Sequence, residues 1–209
     1  HNITVPNPDL AERGEVKDWL HKTTERQRTV FTRSNFYNAL AQFYEDLALH
    51  GTAVMWIDDD QEDVIRCYVL PWGEYTLTLD ARGRPAGMFR EFQLSVSQLI
   101  EKFTLFRCSE HVRQAWKEGR VDEMIDVVHV VEPRTQRDTE KADGPNMPYA
   151  SYWYEIKADG TDGFLKEWGY DECPFIAARW SVTGNDTYGT GPSHDAIGDV
   201  KGLQELEKE

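Results

Sequence analysis

The stretch from Phe175 to Glu209, FIAARWSVTGNDTYGTGPSHDAIGDVKGLQELEKE, constrains the fold more than any other part of the chain. Phe175 to Val182 reads as a strand, and a loop carrying Gly184, Asn185, Asp186, Gly189 and Gly191 follows. A helix opens at Pro192: Gly191 suits the N-cap, and proline suits the first helical turn, where no amide partner is needed. Ile197, Val200, Leu203 and Leu206 recur on one helical stripe. Two features of this helix are unusual. Gly198 and Gly202 stand one turn apart, each costing roughly 1 kcal/mol against alanine. Glu205, Glu207 and Glu209 put negative charge where the helix dipole is already negative. The helix is therefore expected to continue beyond Glu209, which makes the chain a fragment of something longer.

Upstream, the hydrophobic period changes several times. Asp9 to Arg26 reads as an amphipathic helix with Asp9 as N-cap and Glu12 as its capping-box partner. Ser34 to His50 is the strongest helical signal, with Phe36, Leu40, Phe43 and Leu47 on one face and Gly51 as its natural stop. Strands follow at Ala53 to Ile57 and Val64 to Leu70, joined by an acidic turn from Asp58 to Asp63. Further strands at Tyr75 to Leu79 and Met88 to Leu94 complete an expected four-strand meander. Helices are expected at Ser95 to Phe103 and Glu110 to Glu118. Strands return at Ile125 to Val131, Tyr149 to Ile156 and Phe164 to Tyr170, with a turn at Ala158 to Gly163 and an exposed loop from Thr135 to Pro148. Helices and strands arrive in blocks. That order argues for an α+β fold of mostly antiparallel sheet with flanking helices, about seven strands in two small sheets or one bent one.

Composition narrows the functional classes. A formal net charge of −14 makes surface grip on nucleic acid or anionic membrane a poor proposition. Such a chain can still surround DNA without holding it. The three cysteines, Cys67, Cys108 and Cys173, are odd in number and far apart, so small buried thiols in a reducing environment are expected. No zinc or disulfide pattern is present. No signal peptide is expected, and these residues hold no apolar run near the length of a membrane span.

Each chemical motif has a structural counterpart. The run Asp58, Asp59, Asp60, Glu62, Asp63 offers carboxylates to a divalent cation, and with it a metal-assisted hydrolase or nucleotidyl-transfer reaction. It lacks the glycine and terminal glutamate of an EF-hand, so a solvated hairpin turn is expected. Ser193-His194-Asp195 carries triad letters, but helix neighbours diverge by about 100°, so helix capping explains them. Gly184 to Gly191 precedes a helix as phosphate-binding loops do, yet neither GxxxxGK[ST] nor GxGxxG is present. Tyr149, Tyr152, Trp153 and Tyr154 could stack bases or sugars, but no Lys or Arg is interleaved, so sheet packing is expected. No catalytic residue, cofactor or metal ligand is assigned.

Four segments together resemble the portal proteins of tailed bacteriophages, in particular the head-to-tail connecting proteins of short-tailed phages. They are Phe36 to Asp60, Tyr68 to Phe92, Val127 to Arg134, and Pro174 to Gln204. The last is the most specific: a proline, an apolar strand, Arg179-Trp180, then Tyr188-Gly189-Thr190-Gly191-Pro192 opening a helix. Thr190 departs from the pattern, since relatives often carry a basic residue there. The resemblance implies a non-enzymatic subunit of a homo-oligomeric ring of about twelve copies at one capsid vertex. Viral DNA would pass through its channel during packaging and ejection, without sequence-specific binding. The large terminase subunit, tail or adaptor proteins, and capsid and scaffolding proteins would be its partners. The virion would be its location, with assembly in the host cytoplasm. Residues 1–190 would form a wing-like domain and residues 191–209 the start of a stem-like helix. Tyr188, Gly189, Gly191 and Pro192 would make the turn between them, with Gly198 and Gly202 set for close packing of the stem helix.

Overall fold

The computed structural model describes residues 3–141, 143–156 and 163–208. The helices α1 (Pro8–Ala11), α2 (Gly14–Arg33) and α3 (Phe36–His50) come first, then the strands β1 (Thr52–Asp60), β2 (Val64–Leu70), β3 (Tyr75–Leu79) and β4 (Pro85–Ser95). The helices α4 (Val96–Phe103) and α5 (Glu110–Lys117) follow, then β5 (Met124–Pro133), β6 (Tyr149–Glu155), β7 (Phe164–Tyr170), β8 (Phe175–Arg179) and α6 (Pro192–Leu206). Among the described residues every strand pair is antiparallel, which makes the fold α+β as expected.

The eight strands divide into a three-stranded sheet, β2-β1-β8, and a five-stranded sheet, β3-β4-β5-β6-β7. The expected four-strand meander is therefore cut in two. Pro71, Trp72 and Gly73, with Gly73 at φ 97°, turn the chain after Leu70 so that β3 joins the second sheet. Three cores result. The two sheets enclose Val54, Trp56, Leu70, Leu77, Met88 and Val131. Helices α4 and α5 cover Val127 and Trp153 on the five-stranded sheet with Val96, Leu99, Phe103 and Val112. Helix α3 covers Ala53, Met55 and Cys67 with Ala39 and Phe43.

Local chemistry explains where the boundaries fall. The first helix is capped by Asn7, not Asp9: the Asn7 side chain accepts the amides of Asp9 (3.0 Å) and Leu10 (3.4 Å). The chain breaks near Arg13, and α2 then runs through the polar stretch to Arg33, beyond the expected stop at Arg26. Helix α3 ends on Gly51 at φ 72°, the left-handed conformation a C-terminal glycine supplies. Just before α3, Asn35 pairs with the edge of β2. Its amide nitrogen donates to the Cys67 carbonyl (2.7 Å), and its carbonyl accepts the Cys67 amide (2.8 Å). One side chain thus satisfies a stretch of unpaired sheet edge. Strand β8 stops at Arg179, short of the expected Val182. Pairing resumes only as a single bridge between Ser181 and Thr190. The expected turn from Ala158 lies, through Asp162, outside the described residues.

Candidate functional site: the joint before the terminal helix

The glycines that open the last helix do more than turn the chain. Gly189 and Gly191 are buried against the end of α3, where the chain passes from Gly51 into Thr52. A methyl group on Gly51 would lie 2.3 Å from the Gly189 carbonyl oxygen and 2.5 Å from the Gly191 nitrogen. One on Gly189 would lie 2.5 Å from the Gly51 oxygen, and one on Gly191 would lie 2.6 Å from the Ala48 oxygen. Three glycines therefore bring two backbone segments to a separation that no side chain permits.

Hydrogen bonds lock that approach. The Gly189 amide donates to the buried Thr52 hydroxyl (2.7 Å). The Trp180 amide donates to the Gly51 carbonyl (2.9 Å), and the Thr190 amide to the Ser181 carbonyl (2.8 Å). Ser193 Oγ is shared between the carbonyls of Ala48 (2.6 Å) and Leu49 (2.9 Å), which closes the C-terminal end of α3 from the first turn of α6. At the α6 N-terminus Gly191 is the N-cap and Pro192 follows it, as expected. The Gly191 amide donates to His194 Nδ1 (3.1 Å). Ser193 and His194 are thus capping groups. Tyr188 reaches the other sheet: its hydroxyl accepts the Leu77 amide (3.2 Å), and its ring meets Trp72 edge-on at 5.4 Å. Trp72 in turn stacks on His50 at 5.2 Å. Arg179 donates to the carbonyls of Asp186 (3.0 Å) and Gly83, tying the glycine loop to the β3–β4 turn.

Helix α6 leaves this joint without further support. Ile197, Val200, Leu203 and Leu206 are 48–69% exposed. Nothing lies within 4 Å of the positions that a side chain on Gly198 or Gly202 would take. Sequence reasoning singled out Tyr188, Gly189, Gly191 and Pro192 but not the part their counterparts Gly51, Thr52 and Trp72 play here, and it read Ser193 as a cap without its partner α3. Gly51 was visible only as a helix stop, and its second task depends on a segment about 140 residues away, a separation no local pattern encodes.

The other candidate chemistry dissolves on geometry. The acidic run is less a turn than two strand ends: β1 continues to Asp60, and Asp58 pairs with Arg66. Adjacent strand residues point to opposite faces, so Asp58 and Asp59 do not converge. Asp60 Oδ1 accepts the amides of Glu62 and Asp63, both at 2.8 Å, while Oδ2 takes Arg66 Nε at 3.0 Å. Those amides, the Asp63 amide first, and Arg66 hold its carboxyl below the ordinary range. Among the described residues no three His, Cys, Asp or Glu side chains gather as a metal site. The aromatic run on β6 splits across the sheet: Trp153 is buried in the α4–α5 core, while Tyr154 faces solvent. Cys67 and Cys108 are buried and Cys173 half-buried. Burial raises all three thiols, Cys108 to about 11, so none is a thiolate near neutral pH.

A family model described as "Bacteriophage head to tail connecting protein" matches residues 2–209. The chain is 37% identical over 207 residues to the portal protein of Salmonella phage epsilon15, covering 99% of this chain and 37% of that protein. It is 37% identical over 202 residues to the probable portal protein of Bordetella phage BPP-1, covering 97% of this chain and 36% of that one. The chain thus spans little more than a third of the length of these curated relatives. With a match along its whole length, the chain belongs to the bacteriophage head to tail connecting protein family.

Proposed function

We propose that this chain is the part of a portal subunit in which a wing-like α+β body passes its load to a stem-like helix. The observation that carries this reading is the glycine-locked joint, combined with an α6 whose apolar stripe is exposed within these 209 residues. A helix that exposes four aliphatic side chains needs a neighbour, and a ring offers one at each boundary between subunits. On this reading Gly198 and Gly202 are points of close helix approach between copies, and residues 191–209 form the first part of a stem.

The role is structural. The full-length protein forms a ring of about twelve subunits at a capsid vertex, and DNA passes through its channel. The net charge of −14 suits a wall that DNA slides past, because few phosphate contacts form. Large terminase, tail or adaptor proteins, and capsid and scaffolding proteins are the partners that such a ring engages. The subunit works in the virion after assembly in the host cytoplasm. Electron microscopy of the full-length protein tests this: closed rings with a central hole are expected, and a strictly monomeric full-length protein would overturn the proposal.

A further inference from the structure

A second site lies where one face of the five-stranded sheet runs between its two covers. Met88 and Val131 on that face are buried under the three-stranded sheet, while Val127 and Trp153 are buried under α4 and α5. Between these cores the sheet is not fully covered, and a cleft of about 300 Å³ opens. That is the lower end of the size range of small-ligand pockets. Its floor is one cross-strand row: Arg90 pairs with His129, His129 with Trp153, and Trp153 with Lys166. Lys102 enters from α4, and Tyr68 and Asp58 enter from the three-stranded sheet.

The charges in this cleft are unusual for so acidic a chain. The Lys102 ammonium sits 4.0 Å from the centre of the Trp153 ring, and Lys166 sits 5.1 Å from that of Trp168. Neither lysine has an ion pair or hydrogen bond among the described residues, although acidic side chains outnumber basic ones 37 to 23. Arg90, the third cation, is held by Glu74 at 2.9 Å. Among the described residues Asp58 is the one carboxylate lining the cleft. Lys102 keeps contact with solvent, yet burial of its ammonium group lowers its pKa. Asp58 opposes that fall, and Arg90 and Lys166 add to it. His129 is buried between these cations. Its Nε2 lies 2.8 Å from Ser151 Oγ and its ring stacks on Trp153 at 3.7 Å, so it forms a neutral floor.

The aromatic surfaces divide by availability. Trp153 is covered by His129 on one side and approached by Lys102, so it is not a free platform. Tyr68 and Trp168 are 49% and 46% exposed, and Trp168 is backed by Gly144, where a methyl group would fall 2.6 Å from the ring. Trp168 also has Lys166 over its ring, so Tyr68 is the free ring, and it and the unpaired ammonium groups border one cleft. We propose that this cleft binds a small planar anion, a flat ring bearing a phosphate or carboxylate. The anionic group would sit between Lys102 and Lys166 and the ring against Tyr68. Mononucleotides and aromatic carboxylates share this chemistry.

Isothermal calorimetry on the 209-residue chain tests it, with AMP and 4-hydroxyphenylacetate as probes and adenosine as the uncharged control. At least one anion should bind saturably, and which one does so identifies the source. Added salt should weaken it. Lys102→Gln with Lys166→Gln should weaken it at least tenfold, and Tyr68→Leu should weaken it while sparing competition by inorganic phosphate. Three results would each overturn the proposal: no saturable binding of either anion, adenosine binding as tightly as AMP, or affinity indifferent to both salt and the lysine pair. The salt series needs no variant, so it stands even where a substitution disturbs folding.

Discussion

Replacing Gly51 with alanine isolates what the joint contributes. Two terms oppose the methyl group. The first is conformational: Gly51 sits at φ 72°, and a left-handed residue with a Cβ costs about 1–2 kcal/mol. The second is contact. The new carbon would meet three backbone atoms at 2.3, 2.5 and 2.6 Å, and backbone cannot swing aside as a side chain can. Relief requires the segment around Gly189 to withdraw from the end of α3. That motion breaks the bonds from Gly189 to Thr52 and from Trp180 to Gly51, each about 1–3 kcal/mol when a buried partner is left unpaired. Gly51→Ala should therefore cost about 3–8 kcal/mol in all. Gly119→Ala supplies the control, because Gly119 has φ 76° and nothing within 4 Å of its Cβ position. It should lose only the backbone term, about 1–2 kcal/mol. Gly191→Ala separates the terms the other way: φ −105° suits alanine, but the methyl group meets the Ala48 oxygen at 2.6 Å. Urea unfolding followed by circular dichroism gives all three values. Equal losses for Gly51→Ala and Gly119→Ala, within about 0.5 kcal/mol, would refute a joint held by close backbone approach.

Further perturbations probe other parts of the account. Thr52→Val should cost about 1–3 kcal/mol in the same urea assay, because the Gly189 amide loses its buried acceptor, whereas Thr52→Ser should retain most of the stability. Burial, with Lys102 and Arg90 nearby, depresses His129 in the fold, while its unfolded form titrates near pH 6.5. Its stabilising share is therefore complete above about pH 7 and lost as pH falls below about 6.5, at up to about 1.4 kcal/mol per pH unit. Urea midpoints measured down to about pH 5 should fall less steeply for His129→Gln than for the parent, and parallel slopes would contradict this. In the isolated chain Gly202→Ala should stabilise α6 by about 0.5–1 kcal/mol on thermal unfolding, since the position is open. In the full-length protein Gly202→Leu should reduce the ring fraction on size-exclusion chromatography while the wing stays folded.

The sequence was most legible where one local pattern decides the outcome. Helix α3 and its stop at Gly51 follow from helical periodicity and one glycine, and the α6 start follows from Gly191 and Pro192. Strand identities were readable too, because alternation survives in β3 and β5. Sheet membership was not. Nothing local in Tyr75 to Leu79 says that it pairs with β4 alone while β1 takes β8 as its second neighbour. That choice depends on which apolar faces meet after the corner at Trp72. Capping was half legible: Asp9 is as good a cap by type as Asn7, but Pro8 as the first helical residue places the cap two residues earlier. The aromatic cleft was invisible because its lysines, Lys102 and Lys166, lie far from the β6 aromatics in sequence. Only the cross-strand register brings Lys166 beside Trp153.

The central claim is that the α6 stripe, bare in these 209 residues, is covered in the assembled protein. Hydroxyl-radical footprinting at Ile197, Val200, Leu203 and Leu206 tests this directly, comparing the 209-residue chain with the assembled full-length protein. The account predicts strong labelling of all four in the isolated chain, in line with their exposure of 48–69%, and protection in the ring. Equal labelling in both states would contradict it.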